Sequence, residues 1–155
     1  MNATIYTLLA IAALGSVDTT AAPDRLYTWG EALAAIRLVE TGGTANEGRG
    51  AIGDGGRAIG PFQIHRVYHI DAAERDRTLV EYSDCLYGSA YSKRVVESYM
   101  TRYARAETER LLEGRGTLAD VERIARIHNG GPRGDRKSST VRYWRKVRQE
   151  LNRGV

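Results

Sequence analysis

The 155-residue chain has a single cysteine, Cys85, so no disulfide can close within it. Cross-linked secreted scaffolds are excluded, and the core has to hold by packing alone. Nor is there an apolar run long enough to span a bilayer. Ile5 to Gly15 falls well short of the roughly 20 residues a membrane helix needs. Internal repeats and low-complexity tracts are absent, and so is a zinc-protease signature. His65 and His69 stand four apart, a spacing that would suit two metal ligands, but Arg66 stands where that chemistry requires a glutamate. They read as surface or hydrogen-bonded histidines, with no metal site.

What is present suits one folded domain. Hydrophobic residues make up 42% of the chain, enough for a core, and charged residues 27%, so it is neither disordered nor membrane-embedded. Residues 1–22 read as a secretory signal peptide. The apolar run at 5–15 is followed by small residues at Thr20 and Ala22, ahead of Pro23. Residues 23–155 form the domain. Losing the signal would remove one charge, Asp18, and raise the net charge from +4 to +5. A basic exported protein favours an anionic partner such as a cell-wall polymer, nucleic acid or lipid headgroups.

Chemistry concentrates between Ile36 and Ile64. Thr28-Trp29-Gly30-Glu31 fits a capping box, and the helix it opens presents Trp29, Leu33, Ile36 and Glu40 on one face. Gly42 and Gly43 stop that helix. Glu40 thus ends an otherwise apolar face. Either it points outward, or it is buried with a raised pKa and fit to act as a general acid. Eight of the 17 glycines then fall between Gly42 and Gly60. Gly53-Asp54-Gly55-Gly56 reads as the turn of a hairpin with strands near Ala51-Ile52 and Arg57-Ile59. Asp54 serves either the turn's own hydrogen bonds or a reaction.

Residues 72–88 read as a polar loop. A long helix is expected from Ser89 or Ser92, with Val96, Tyr99, Met100 and Tyr103 as its stripe and Leu111 and Leu112 extending it to Gly114. Thr117 caps a further helix, with Asp120 three residues on. It buries Val121, Ile124, Ala125 and His128 and ends at Asn129-Gly130-Gly131-Pro132. The last helix runs from Ser139 to Leu151. It buries Trp144, Val147 and Leu151 and exposes Arg142, Arg145, Lys146 and Arg148.

In order, these residues are Glu40-Thr-Gly-Gly, the Gly-Asp turn, Gly60-Pro-Phe-Gln-Ile, Tyr68, Tyr82-Ser-Asp-Cys, Ala125-Arg-Ile-His-Asn-Gly-Gly-Pro and Tyr143-Trp-Arg-Lys-Val. The pattern resembles the invertebrate-type lysozymes, the destabilase lysozymes of leeches among them, over roughly residues 32–148. The resemblance implies a mostly helical α+β lysozyme-like fold with a small β-hairpin beside the active-site cleft. It implies a muramidase that cleaves the β-1,4 bond between N-acetylmuramic acid and N-acetylglucosamine. Glu40 would be the general acid and Asp54 the nucleophile or electrostatic stabiliser. Gly60, Phe62, Gln63, Tyr68, His128, Asn129 and Gly130 would line the glycan cleft. No cofactor is implied. The expected partner is peptidoglycan glycan strands, rather than nucleic acid or a membrane, and the expected location is secreted or periplasmic. Oligomeric state is open. The chain departs from the family in its single cysteine, in Thr41 where serine is common, in His69 where an aromatic is common, and in a slightly longer Glu-to-Asp spacing. Two other readings fit the same residues: a lytic transglycosylase using Glu40 alone, and a glycan-binding domain without turnover. Isopeptidase chemistry, known in some members, would need a nucleophile, and no Ser-His or Ser-Lys pair can be assigned.

Overall fold

The structure is a computed structural model and describes residues 25–154. The expected signal peptide lies outside them. Among the described residues seven α-helices surround one core: α1 Trp29–Thr41, α2 Arg66–Arg75, α3 Asp84–Tyr87, α4 Ser89–Tyr103, α5 Arg105–Leu112, α6 Leu118–Gly130 and α7 Val141–Arg153. Between α1 and α2 lie β1 Ile52–Gly53, β2 Ala58–Ile59 and β3 Ile64–His65, antiparallel in that order. No helix among the described residues is long and apolar enough to cross a membrane.

The two helices that carry the site start as their sequences dictate. In α1 the Thr28 hydroxyl accepts the Glu31 amide at 3.2 Å, and the Glu31 carboxylate accepts the Thr28 amide at 2.8 Å. In α6 Thr117 and Asp120 repeat the box, and Arg110 adds a side-chain bond to the same carboxylate. Each cap contributes about 1 kcal/mol. The faces they bury include Leu33 and Ile36 from α1, and Val121, Ile124, Ala125 and Ile127 from α6. Phe62, Val95, Val96, Met100, Leu111, Val147 and Leu151 complete the centre. Helix α7 packs on both α1 and α6, while α2 packs on α4.

Three expectations are corrected. The span 72–88 is not one loop: α2 runs through Arg75, and α3 adds a short turn. Helical periodicity failed at α2 because its aliphatic residues face solvent. Val67 is 75% and Ile70 52% exposed, while Tyr68, His69 and Ala72 are buried. What fixes α2 is contact with α4, where Ser98 donates to the Ala72 carbonyl at 2.8 Å. The long helix expected from Ser89 to Gly114 breaks at Ala104, whose φ of −148° and ψ of 50° are not helical. Helix α5 then packs on α6, burying Leu111 and leaving Leu112 49% exposed. Finally, the hairpin gains a third strand. Ala58 pairs with His65 and Ile59 with Ile64. The Tyr82 hydroxyl sits between the Ile64 carbonyl at 2.8 Å and the Arg57 carbonyl at 3.2 Å, pinning the sheet to the helices.

Candidate active site

Glu40 lies in the last turn of α1, ahead of Gly42, which takes the left-handed cap at φ 65°. Its side chain is only 18% exposed. Burial pushes its carboxyl up to about 7, against a smaller lowering by the Tyr143 hydrogen bond and the Lys146 charge. Tyr143 of α7 donates its hydroxyl to Glu40 Oε1 at 2.7 Å. His128 Nε2 stands 3.7 Å from the same oxygen.

That second contact is not an ion pair at neutral pH. Burial holds the His128 imidazole down at about 4, so the ring is neutral there. Its tautomer follows from its neighbours. Nε2 lies 3.1 Å from the Phe62 carbonyl, which can only accept, so Nε2 carries the proton. Nδ1 then accepts the Tyr68 hydroxyl at 3.3 Å. The Tyr68 ring in turn stacks on Tyr99, with centroids 3.6 Å apart.

Asp54 sits in the 3-10 turn Asp54–Gly56 between β1 and β2. It is 46% exposed, with one oxygen 2.7 Å from Arg57 Nη2 and the other 3.5 Å from His65 Nε2. Asp54 and Gln63 both have φ 48°. Left-handed backbone at residues other than glycine costs about 1–3 kcal/mol each and gathers at functional sites. The Gln63 amide is committed at one end, donating to the Gly60 carbonyl at 2.9 Å.

These residues meet. Glu40, Asp54, Ala58, Gln63, His65, His128 and Asn129 line one cleft of about 260 Å³. A second hollow of about 300 Å³ shares His65, His128 and Asn129 with it and is floored by Val67, Tyr68, Tyr99 and Pro132. A larger hollow of about 510 Å³ beside α2 shares no residue with the cleft. The sheet register explains part of the convergence: Gly53 pairs with Ala58 and Ala58 with His65, so one row across the sheet ends beside Asp54.

Three of the expected lining residues stand behind the cleft instead. Phe62 is wholly buried and offers only its carbonyl, to His128. Gly60 is buried against the Cys85 carbonyl. Gly130 accepts Lys137 Nζ at 2.5 Å and faces Thr140. None of the three lines the cleft or the hollow beside it. Conversely, His65, Arg57 and Tyr143 belong to the site and were not expected in it. His65 reaches the site through β3, where it pairs with Ala58 of β2, a cleft residue. Tyr143 had no signal in the sequence, since its position depends on α7 docking against α1. The two histidines weighed as metal ligands part company. His65 lines the cleft, while His69 is buried and bonded to the Tyr91 hydroxyl at 2.8 Å.

A sequence model of the destabilase family matches residues 33–150. Lysozyme 1 of Crassostrea virginica is 41% identical over 93 residues, which is 60% of this chain and 45% of that protein. A lysozyme of Magallana gigas is 37% identical over 93 residues, 60% of either chain. The chain therefore spans about half the length of the curated relatives it matches. A crystal structure of Meretrix lusoria lysozyme in complex with Aeromonas hydrophila PliI superposes with a TM-score of 0.55. It covers 77% of this chain and 87% of that one, at 32% identity. With the family pattern matched over most of its length and the fold shared with a solved lysozyme, the chain belongs to the destabilase family, the invertebrate-type lysozymes.

Proposed function

We propose that the protein is a muramidase acting on the β-1,4 N-acetylmuramic acid–N-acetylglucosamine bond of peptidoglycan. The observation that carries this is Glu40, a carboxyl pushed by burial to about 7 in the same cleft as a second carboxyl, Asp54. Glu40 donates its proton to the leaving glycosidic oxygen. Asp54 attacks or stabilises the positive anomeric carbon. Water then completes hydrolysis, with Glu40 as its base. Gln63, His65 and Asn129 hold the sugar, and His128 forms part of the cleft wall. That the relatives are named lysozymes supports the same reading. Mass spectrometry of digested peptidoglycan tests it: a reducing N-acetylmuramic acid end is expected, and an anhydro end would establish a lytic transglycosylase instead. One feature favours that alternative, the ion pair by which Arg57 occupies an Asp54 oxygen.

Export and wall capture belong to the same proposal. Protein recovered outside the cell is expected to begin at or close to Pro23; soluble cytoplasmic protein with an intact Met1 would overturn it. Capture rests on α7. Arg142, Arg145, Lys146 and Arg148 are all exposed, and none has a carboxylate within 4 Å among the described residues. Exposed charges are screened beyond about 8 Å at physiological salt and about 3 Å at 1 M. Wall lysis is therefore expected to fall steeply between low and high salt, while cleavage of a neutral soluble oligosaccharide barely changes. Equal salt dependence of the two would refute electrostatic capture.

A further inference from the structure

The acid at the helix end is not held by its own helix. Of its two oxygens, Oε1 accepts the Tyr143 hydroxyl at 2.7 Å and has His128 Nε2 at 3.7 Å. Oε2 has no protein hydrogen-bond partner among the described residues. Since no buried side-chain polar atom there lacks a partner, Oε2 is open, and the opening is the cleft that Glu40 lines. Tyr143 lies three residues beyond the buried Thr140 that ends the preceding turn, and its neighbour Trp144 is buried in the core. Its ring is therefore fixed by α7 as a whole rather than by the cleft.

We propose that Tyr143 is the positioning residue of the general acid. Its hydroxyl holds Glu40 Oε1, which places the transferable proton on Oε2, facing the substrate, and stabilises the carboxylate left after transfer. This rests on Glu40 being the acid. A phenol suits the task because it retains its proton: burial and the neighbouring Glu40 charge push the Tyr143 pKa well above its ordinary value. It therefore donates over the whole working range.

The sign of the effect follows. A hydrogen bond to the carboxylate favours the ionised form, so Tyr143 holds Glu40 lower than burial alone would put it. Activity requires protonated Glu40 and falls as pH rises through its pKa. The other groups facing Glu40 are Lys146 on α7, His128 on α6, Tyr68 on α2, and Asp54 and His65 across the cleft. Of these, Lys146 acts in the same direction as Tyr143, but through exposed charge that salt screens.

The test is Tyr143→Phe, which keeps the ring. The falling limb of kcat against pH is expected to move up by about one pH unit, at high salt as well as low, since a hydrogen bond to a charged group is of that size. At the wild-type optimum kcat is expected to fall roughly tenfold with KM little changed. Titration of the Glu40 carboxyl by 13C NMR, its signal assigned by its loss in Glu40→Gln, should show the same upward shift without relying on turnover. A limb and a titration that both coincide with wild type would overturn the positioning role while leaving the acid assignment intact. Full activity of Glu40→Gln would overturn that assignment, and this proposal with it.

Discussion

Glu40→Gln is expected to lower glycan cleavage at least ~10²-fold, the scale of general acid catalysis. Glutamine keeps the size of the side chain and its carbonyl oxygen can still accept from Tyr143, so what disappears is the proton donor. The same substitution should leave the protein more stable at alkaline pH. Burial raises the Glu40 carboxyl from its ordinary 4.5 to about 7. The stability that its neutral form allows is fully present below about 4.5 and is lost as pH rises through about 7. The difference amounts to at most about 3 kcal/mol. Glu40→Gln should remove this loss, so its advantage in urea denaturation should grow between pH 5 and 8. An inactive variant with no such advantage would mean that Glu40 is not the buried, proton-holding group. Asp54→Asn should also impair turnover while glycan binding and fold persist. If Asp54→Asn is fully active and Glu40→Gln is dead, the two-carboxylate mechanism gives way to the single-acid transglycosylase.

The largest expected structural effect is at Gly60. Its φ is 73°, and an added Cβ would lie 1.8 Å from the Cys85 carbonyl oxygen. That carbonyl cannot retreat easily, because it also accepts the buried Ser92 hydroxyl at 2.9 Å. Gly60→Ala meets two costs: about 1–2 kcal/mol for a left-handed L-residue and about 1–3 kcal/mol for overpacking. At about 3–5 °C per kcal/mol for a domain of this size, the melting temperature should drop by on the order of 10 °C. Activity should fall as well, since the Gly60 carbonyl holds both the backbone and the side-chain amide of Gln63. Gly42→Ala is the control. Its φ is 65°, but nothing lies within 4 Å of the added Cβ, so only the conformational cost applies. Equal melting drops for the two variants would show that space at Gly60 is not the constraint.

Some of this was legible locally. Both capping boxes, the Gly42 stop and the helix bearing Val121, Ile124 and Ala125 follow from spacing alone, because caps and helical faces are settled within a few residues. The turn at Asp54 and the carboxyl at the end of an apolar face were visible for the same reason. Local reading failed wherever a distant surface made the decision. The end of α2, from Ala72 to Arg75, looked like loop because the face that Ala72 shares with Tyr68 and His69 is chosen by α4. The break at Ala104 has no glycine or proline to announce it; burial of Leu111 under α6 requires it.

The candidate site divides in the same way. The amino-acid sequence by itself determined which groups are candidates for the chemistry, a helix-terminal glutamate and an aspartate in a glycine-rich turn, since residue type and local turn are properties of short stretches. Only the tertiary structure decided what those groups are in place. Burial sets the Glu40 carboxyl at about 7 and leaves His128 neutral, and burial is the sum of contributions from α1, α6, α7 and the sheet. Tyr143 reaches Glu40 across 103 positions of chain, and no periodicity in a sequence spans such a separation.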